Sequence, residues 1–134
     1  MDVTQVDGPF SPEQTAAAAR LAADAIRYLN HATLQGGGVG HPSDVWEVLG
    51  SLGVAVGRLR QTFDQLGRSV EGDLTTGRLR IEQGAPHAQD PEGGVQAARI
   101  QLQLVAETAR ELELGIAEAQ RLISGMSLED EQMP

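Results

Sequence analysis

The stretch DVWEVLGSLGVAVGRLRQTFDQLGRSV, residues 44–70, decides the fold class of this chain. Its large apolar residues recur at alternating intervals of four and three residues, and we call them the heptad stripe of helix two: Val45, Leu49, Leu52, Val56, Leu59, Phe63, Leu66 and Val70. A period of 3.5 residues that persists over more than three heptads is typical of an α-helix packed along another helix. The stretch therefore predicts a long amphipathic helix.

Two other segments have the same period. Helix one is predicted to begin at Ser11-Pro12-Glu13-Gln14, a capping motif with proline at the first helical position, and it has a stripe of mostly alanine at Ala18, Ala22, Ala25, Leu29 and Ala32. Helix three has a heptad stripe at Ala98, Leu102, Val105, Ala109, Leu112, Ile116, Ala119, Ile123 and Met126. We expect helices at about residues 11–34, 44–70 and 95–124. They predict an all-α protein, an antiparallel three-helix bundle with helices two and three as a long central hairpin, dimerising through coiled-coil-like stripes.

The remaining segments predict one helical domain at residues 11–126, with a mobile acidic tail at 1–10 and an acidic tail at 127–134. Residues 71–94 form a connector rich in glycine and proline. Within it, Arg78–Glu82 alternates polar and apolar residues, which indicates either an ordered loop that tucks Leu79 and Ile81 against the helices or an arm that pairs with another chain.

Composition excludes several classes of protein. The chain has 134 residues, a net charge of −9 and no cysteine, so a disulfide scaffold, an iron–sulfur cluster and a thiolate zinc site are excluded. No apolar run is long enough to span a bilayer, and the first residues, MDVTQVDG, lack the apolar core of a secretory signal. We therefore expect a cytoplasmic protein without membrane association.

No pattern in the sequence indicates an enzyme. The chain has no cysteine nucleophile, no G-x-S-x-G elbow and no serine–histidine–aspartate set. Its histidines, His31, His41 and His87, have no second histidine at helical spacing, and no H-E-x-x-H pattern occurs. We expect no catalytic residue, no metal site and no cofactor.

Two features exceed the needs of a simple bundle. Trp46, Gly50, Gly53 and Gly57 fall together beside the heptad stripe of helix two, and we call this set the glycine flank. Small residues allow close approach, so the flank predicts either tight packing by helix one or a docking groove for another chain. The second feature is a set of large apolar residues off the stripe of helix three, Ile100, Leu104, Leu114 and Leu122, which indicates a second interface.

Arginines offer an alternative site. All ten basic residues are arginine, and five of them, Arg58, Arg60, Arg68, Arg78 and Arg80, fall in one segment with three acidic residues. The segment suggests contact with nucleic acid, although the net charge of the whole chain opposes such binding and no aromatic residues stand among the arginines to stack on bases. A small ligand held between the helices is a further alternative.

A resemblance accompanies these patterns. The stretch Ala22–Gly53, with its Arg27–Thr33 and Ser43–Leu49 segments, resembles small helical proteins of actinobacteria whose function is unassigned, and the Ala/Leu heptads at 98–123 are similar too. The chain departs from the small secreted hairpin proteins named for a W-x-G turn, because Trp46 opens a helix and Val48 stands where that turn has glycine. We expect a non-enzymatic interaction module, an oligomeric scaffold or adaptor, that forms a dimer and binds a further protein partner.

Overall fold

Three helices make up most of the chain. The structure, a computed structural model, describes residues 8–34 and 36–129, and no strand occurs in this part of the chain. The helices are α1 (Pro12–Leu34), α2 (Pro42–Thr75) and α3 (Pro91–Ile123), with 23, 34 and 33 residues. The predicted all-α class is confirmed. The predicted acidic tails, residues 1–10 and 127–134, lie largely outside the described residues.

The chain divides into two units, residues 1–41 and residues 42–134. The first unit is built around α1. The backbone N–H of Gln14 donates to the Ser11 hydroxyl oxygen at 3.1 Å, which is the cap that the Ser-Pro-Glu-Gln motif predicts. No residue of α1 is buried, and Leu21, Ile26 and Tyr28 are exposed. The bundle packing predicted for this helix stays a prediction.

The second unit is an antiparallel hairpin of α2 and α3. A Cβ placed on Gly53 would lie 3.5 Å from Ile116, and one placed on Gly67 would lie 3.3 Å from Leu102. Positions that advance along α2 therefore meet positions that recede along α3, so the two helices run in opposite directions. The predicted central hairpin is confirmed.

Helix α2 continues to Thr75, where the apolar pattern predicted an end near Val70. Gly77, with a φ of +76°, ends it by taking up the left-handed conformation that glycine adopts without steric cost. The N–H of Arg78 then bonds to the carbonyl of Asp73 at 3.0 Å, and the N–H of Gly77 to that of Leu74 at 3.1 Å. This pair of bonds is a Schellman motif, which satisfies carbonyls at the helix end.

Helix α3 begins at Pro91, earlier than the predicted start near Val95. Asp90 is the N-cap, and its carboxylate accepts a hydrogen bond from the N–H of Gly93 at 3.1 Å. Proline is favoured at the first helical position because its ring presets the helical φ and its missing N–H has no partner there. The glycines that follow made the segment look like a loop, whereas the Asp-Pro pair starts the helix.

The connector between Thr75 and Pro91 is an ordered loop. Leu79 and Ile81 are both half-buried. The side chains of Ile81 and His87 lie over Gly94, where an added Cβ would come within 3.2 Å and 2.9 Å of them. The connector therefore folds back on the first turn of α3, as the loop interpretation of this segment expected.

The interior of the hairpin is thin. Among the described residues, only Gly67 of α2 and Val95 and Ala109 of α3 are buried. A pair of helices can bury only the strip along which they touch, so most of each apolar surface stays in contact with solvent. The consequence is a long two-helix body with two broad faces.

Candidate functional site

The glycine flank faces α3 of the same chain. A Cβ on Gly50 would lie 2.8 Å from Nε2 of Gln120, and one on Gly53 would lie 3.5 Å from Ile116. At Gly57 an added Cβ would collide with the Glu113 carboxylate. The sequence suggested helix one or another chain as the partner of this flank, whereas in the hairpin these three glycines make room for side chains of α3.

Trp46 stands at the open end of the hairpin. The side-chain N–H of Gln120 donates to the backbone carbonyl of Trp46 at 3.1 Å, which joins the first turns of α2 to the last turns of α3. The Trp46 side chain is 45% exposed. We call the Gln120–Trp46 hydrogen bond the clasp, since it ties the two helices at the end that the connector does not close.

Gly67 forms a second close approach that the sequence analysis did not single out as a site. A Cβ there would lie 3.1 Å from Cδ of Arg99 and 3.3 Å from Leu102. The Arg99 guanidinium crosses this glycine, donates to the Asp64 carbonyl at 3.3 Å and pairs with Glu71 at 3.4 Å. The available signal was a glycine inside a long helix, a costly choice that implies a packing reason.

The part of α2 that faces α3 is rotated relative to its heptad stripe. Gly50, Gly53, Gly57 and Gly67 lie against α3, and Phe63 of the heptad stripe lines a small pocket with Leu102 and Ala106 of α3. Three other residues of the stripe remain exposed: Leu59, Leu66 and Val70. On α3 the heptad stripe is used more fully, with Ala109 buried and Ile116 in contact, although Leu112 is exposed. Packing within the hairpin therefore leaves part of each stripe exposed to solvent.

These exposed residues share one face of the hairpin. At 100° per residue, Leu59 and Leu66 lie more than 90° round α2 from Gly53, and Leu112 turns in the same sense on α3. Because α3 is related to α2 by reversal of direction, turns of equal sense reach the same side of an antiparallel pair. Leu59 is 42% exposed, Leu66 50% and Leu112 54%.

We call this side the apolar face. On α2 it contains Leu52, Ala55, Leu59, Thr62, Leu66 and Val70, and on α3 it contains Leu104, Thr108, Leu112, Gly115 and Leu122. None of these residues is charged. On α3, Glu111 and Glu118 lie on the same side as Leu104 and Leu122, so the stretch without charge is the α2 part of this face, from Leu52 to Val70.

The off-stripe residues predicted as a second interface do not form one patch. All four, Ile100, Leu104, Leu114 and Leu122, are exposed. By helical position, Ile100, Leu104 and Leu122 lie within about 40° of one another on the apolar-face side of α3, whereas Leu114 lies about 80° from Leu104, towards the polar face. The structure thus places three of the four on the same side of the hairpin as the exposed leucines of α2.

The opposite side of the hairpin is rich in arginine, and we call it the polar face. It includes an open groove of about 420 Å³ that is lined by Gly57, Arg60, Gln61, Ala106, Glu107 and Arg110. Arg60 lies 3.8 Å from Glu113, and Arg68 lies 2.9 Å from Asp64. Positive and negative groups alternate here, so the groove has no strong preference for one sign of charge.

The arginine segment that suggested nucleic-acid contact is divided in the structure. Arg58, Arg60 and Arg68 lie on α2, and Arg78 and Arg80 lie in the connector beyond its end. Two of the five form ion pairs with carboxylates of the hairpin. The segment therefore does not present five arginines on one surface.

One ion pair on the surface of α3 lowers the pKa of a glutamate. The Arg121 guanidinium makes two hydrogen bonds to the Glu118 carboxylate, at 2.9 Å and 2.7 Å. These bonds favour the charged carboxylate and lower the pKa of Glu118 below its ordinary value. Both side chains are well exposed, so the pair is a feature of the helix surface and not a buried charge centre.

Comparison with known proteins adds no assignment. No protein-family model, curated protein or solved structure matches the chain. Within residues 8–34 and 36–129, no helix is both long and apolar enough to cross a membrane. The same residues contain no group of three or more histidine, aspartate or glutamate side chains that could hold a metal ion.

Proposed function

We propose that this chain is a non-enzymatic protein–protein interaction module, an oligomeric scaffold or adaptor that acts through helical packing. The apolar face carries the proposal. Exposed leucines occur singly on most proteins, but a continuous apolar surface along two helices is typical of a binding surface. On α2 the face has no charged residue from Leu52 to Val70, so a partner can cover that side without burying an unpaired ion, whereas Glu111 and Glu118 border the face on α3.

The glycine flank has a different role in this proposal. Because its glycines admit α3 side chains, α2 and α3 approach closely and form a firm platform. The platform presents the apolar face without needing the flank for a partner. The docking groove suggested for the flank is therefore replaced by packing within the hairpin.

The alternatives receive less support. Nucleic-acid binding requires several arginines on one surface, yet Arg60 and Arg68 are engaged with carboxylates. A ligand site requires enclosure and convergent polar groups, whereas the groove beside Arg60 is open. Binding to duplex DNA that weakens steeply with added salt would contradict this choice.

The test is the mass of the protein in solution. We expect the wild-type chain to elute near twice its mass of 14.2 kDa at micromolar concentration, measured by size exclusion with light scattering. The double variant Leu59→Gln, Leu66→Gln places polar groups on the apolar face and should elute as a single chain. Helix content by circular dichroism should be unchanged, since both side chains are largely exposed.

A matched control uses the polar face. Val54→Gln, Leu114→Gln changes two exposed apolar residues that lie away from the apolar face and should keep the wild-type mass. A wild-type chain that elutes as a single chain at micromolar concentration would contradict the proposal. An equal loss of mass in the control would show that association does not depend on the apolar face.

A further inference from the structure

We infer that the apolar face takes an amphipathic helix of another protein, one whose apolar stripe is bordered by lysine or arginine. The inference rests on the proposed function and names the chemistry of its partner. Three features of the hairpin carry it: the period of the leucines on the face, the room left by small residues of α3, and the sign of the charges along its edge.

The leucines of α2 on the apolar face recur with a period that suits a helical partner. Leu52, Leu59 and Leu66 are seven residues apart, and Leu112 of α3 lies on the same side of the hairpin. An interval of seven residues keeps a row of side chains beside a neighbouring helix over several turns. A helix also satisfies its own backbone hydrogen bonds, whereas an extended segment would bring unpaired N–H and C=O groups onto these leucines.

Small residues of α3 leave room for the side chains of this helix. Thr108 and Gly115 lie on the apolar face on either side of Leu112, and nothing lies within 4 Å of a Cβ added at Gly115. Large side chains pack well against small ones, so leucines of the partner fit over these two positions. The uncharged side of α2 from Leu52 to Val70 is about 27 Å long at about 1.5 Å per residue, which a helix of about 18 residues covers.

The edge of the apolar face on α3 is acidic. Glu111 and Glu118 lie within about 40° of Leu104 and Leu122 on this edge. The arginines of α3 are all placed towards the polar face by their helical positions: Arg99, Arg110 and Arg121. A helix that lies on the apolar face therefore runs beside a row in which leucine and glutamate are the large residues.

Glu111 supplies the free charge of this edge. Glu118 accepts two hydrogen bonds from the Arg121 guanidinium, which offset its charge. Within residues 8–34 and 36–129, Glu111 takes part in no ion pair. Its carboxylate can accept hydrogen bonds from a lysine or arginine at the edge of the partner helix, while the apolar stripe of that helix covers the leucines. A glutamate in the same place would be repelled.

The acidic edge also favours this partner over a second copy. The chain has a net charge of −9, so a second copy brings more negative charge towards Glu111, whereas a basic helix brings the opposite charge. Self-association and partner binding use the same face, so the basic helix displaces the second copy. The dimer then changes into a complex of one chain with one helix.

Two synthetic peptides test the inference. Each is an amphipathic helix of about 18 residues with leucine at heptad spacing, and the edges of the stripe carry lysine in one peptide and glutamate in the other. Fluorescence anisotropy of the labelled peptide measures its affinity for the wild-type chain. We expect the lysine peptide to bind about tenfold more tightly than the glutamate peptide. Leu59→Gln, Leu66→Gln should abolish the binding of both.

Charge reversal at Glu111 tests the edge itself. Glu111→Lys should weaken the binding of the lysine peptide and strengthen that of the glutamate peptide, so that the preference of the wild-type chain is lost. The matched control is Glu107→Lys, the same change one turn earlier on α3, at a residue that lines the groove of the polar face. This control should keep the preference for lysine. Both glutamates are exposed, so circular dichroism should report the same helix content in both variants.

The outcomes separate this inference from the proposed function. Equal binding of the two peptides, or a preference for lysine that Glu111→Lys leaves intact, would overturn the inferred partner. Failure of both peptides to bind, as expected when a second copy or another segment of the chain holds the face, would also overturn it, while a dimer mass without peptide would leave the oligomeric scaffold in place. A single-chain mass without peptide would contradict the oligomeric scaffold, whereas a preference for the lysine peptide would still support the inferred partner.

Discussion

Gly67 and Gly72 lie on the same helix in opposite surroundings. Gly67 is buried beneath Arg99 and Leu102, whereas nothing lies within 4 Å of a Cβ added at Gly72. Gly67→Ala should lower the free energy of unfolding by about 1 kcal/mol, because the methyl group must displace packed neighbours. Gly72→Ala should raise it by up to about 1 kcal/mol through helix propensity.

Urea unfolding followed by circular dichroism measures both changes. Each variant is the control for the other, since the substitution and the helix are the same. Two changes of the same sign would mean that the close approach of Arg99 to Gly67 does not persist in solution.

The sequence alone does not reveal what each glycine contacts. Pattern analysis groups Gly50, Gly53 and Gly57 by their helical position, and this grouping agrees with their common contact with α3. It does not reveal which helix approaches them, because a glycine has no side chain that indicates its partner. The partners are Gln120, Ile116 and Glu113, which look like ordinary surface and stripe residues in the sequence.

The Glu118–Arg121 pair gives a prediction about pH. Because the pKa of Glu118 is lowered by hydrogen bonds from Arg121, the pair stabilises α3 at higher pH and is lost as the pH falls through the Glu118 pKa. Arg121→Gln should raise that pKa towards its ordinary value. A ¹³C titration of the side-chain carboxyl group measures the shift, and an unchanged midpoint would mean that the two groups are not paired in solution.

The side chain of Arg99 crosses from α3 to α2 and links the two helices of the hairpin. Its side chain is only 20% exposed and bonds to Asp64 and Glu71 on α2. Arg99→Gln should lower the free energy of unfolding by about 1 kcal/mol, because two polar groups of α2 lose a charged partner. Thermal melting monitored by circular dichroism measures the change.

Arg68→Gln is the matched control for Arg99. Arg68 pairs with Asp64 within α2, and its side chain is 71% exposed. Its loss should change stability by less than about 0.5 kcal/mol, since exposed pairs within one helix contribute little. Equal losses of stability in the two variants would contradict the bridging role of Arg99.

The sequence predicted the helices better than it predicted their packing. A period of 3.5 residues identifies an apolar stripe, and both α2 and α3 occur where their stripes predicted them. The same period does not identify which side of the helix meets its neighbour when small residues stand beside large ones. On α2 the close contact is made by glycines, which do not count as apolar residues in the pattern, while Leu59 and Leu66 stay exposed.

The ends of the helices depended on local chemistry outside the apolar pattern. Gly77 stops α2 through a left-handed turn, and the Asp90–Pro91 pair starts α3. Both signals are visible in the sequence. They lay outside the apolar pattern, which therefore assigned the adjoining helical turns to the connector.

At the scale of the whole molecule, the apolar face predicts that stability depends on protein concentration. When association buries this face, the folded dimer gains stability with concentration, whereas the unfolded chains do not. The melting temperature of the wild-type chain should therefore rise over a hundredfold increase in concentration. Leu59→Gln, Leu66→Gln should melt at one temperature throughout, and differential scanning fluorimetry measures both.

A constant melting temperature in the same experiment would contradict this prediction. A wild-type melting temperature that stays constant over that range, at concentrations where light scattering reports a dimer, would mean that the chains stay associated after they unfold, because association of the folded chain alone must raise its melting temperature. Association would then not depend on the folded apolar face.

The clasp at the open end of the hairpin also makes the tryptophan fluorescence of the protein a measure of hairpin opening. Trp46 is the single tryptophan of the chain, and its backbone carbonyl accepts the hydrogen bond from Gln120 that ties α2 to α3. Its half-exposed indole belongs to the glycine flank and not to the apolar face. Intrinsic fluorescence should therefore record the separation of the helix ends in real time, while the meeting of two copies on the other side leaves the emission spectrum almost unchanged.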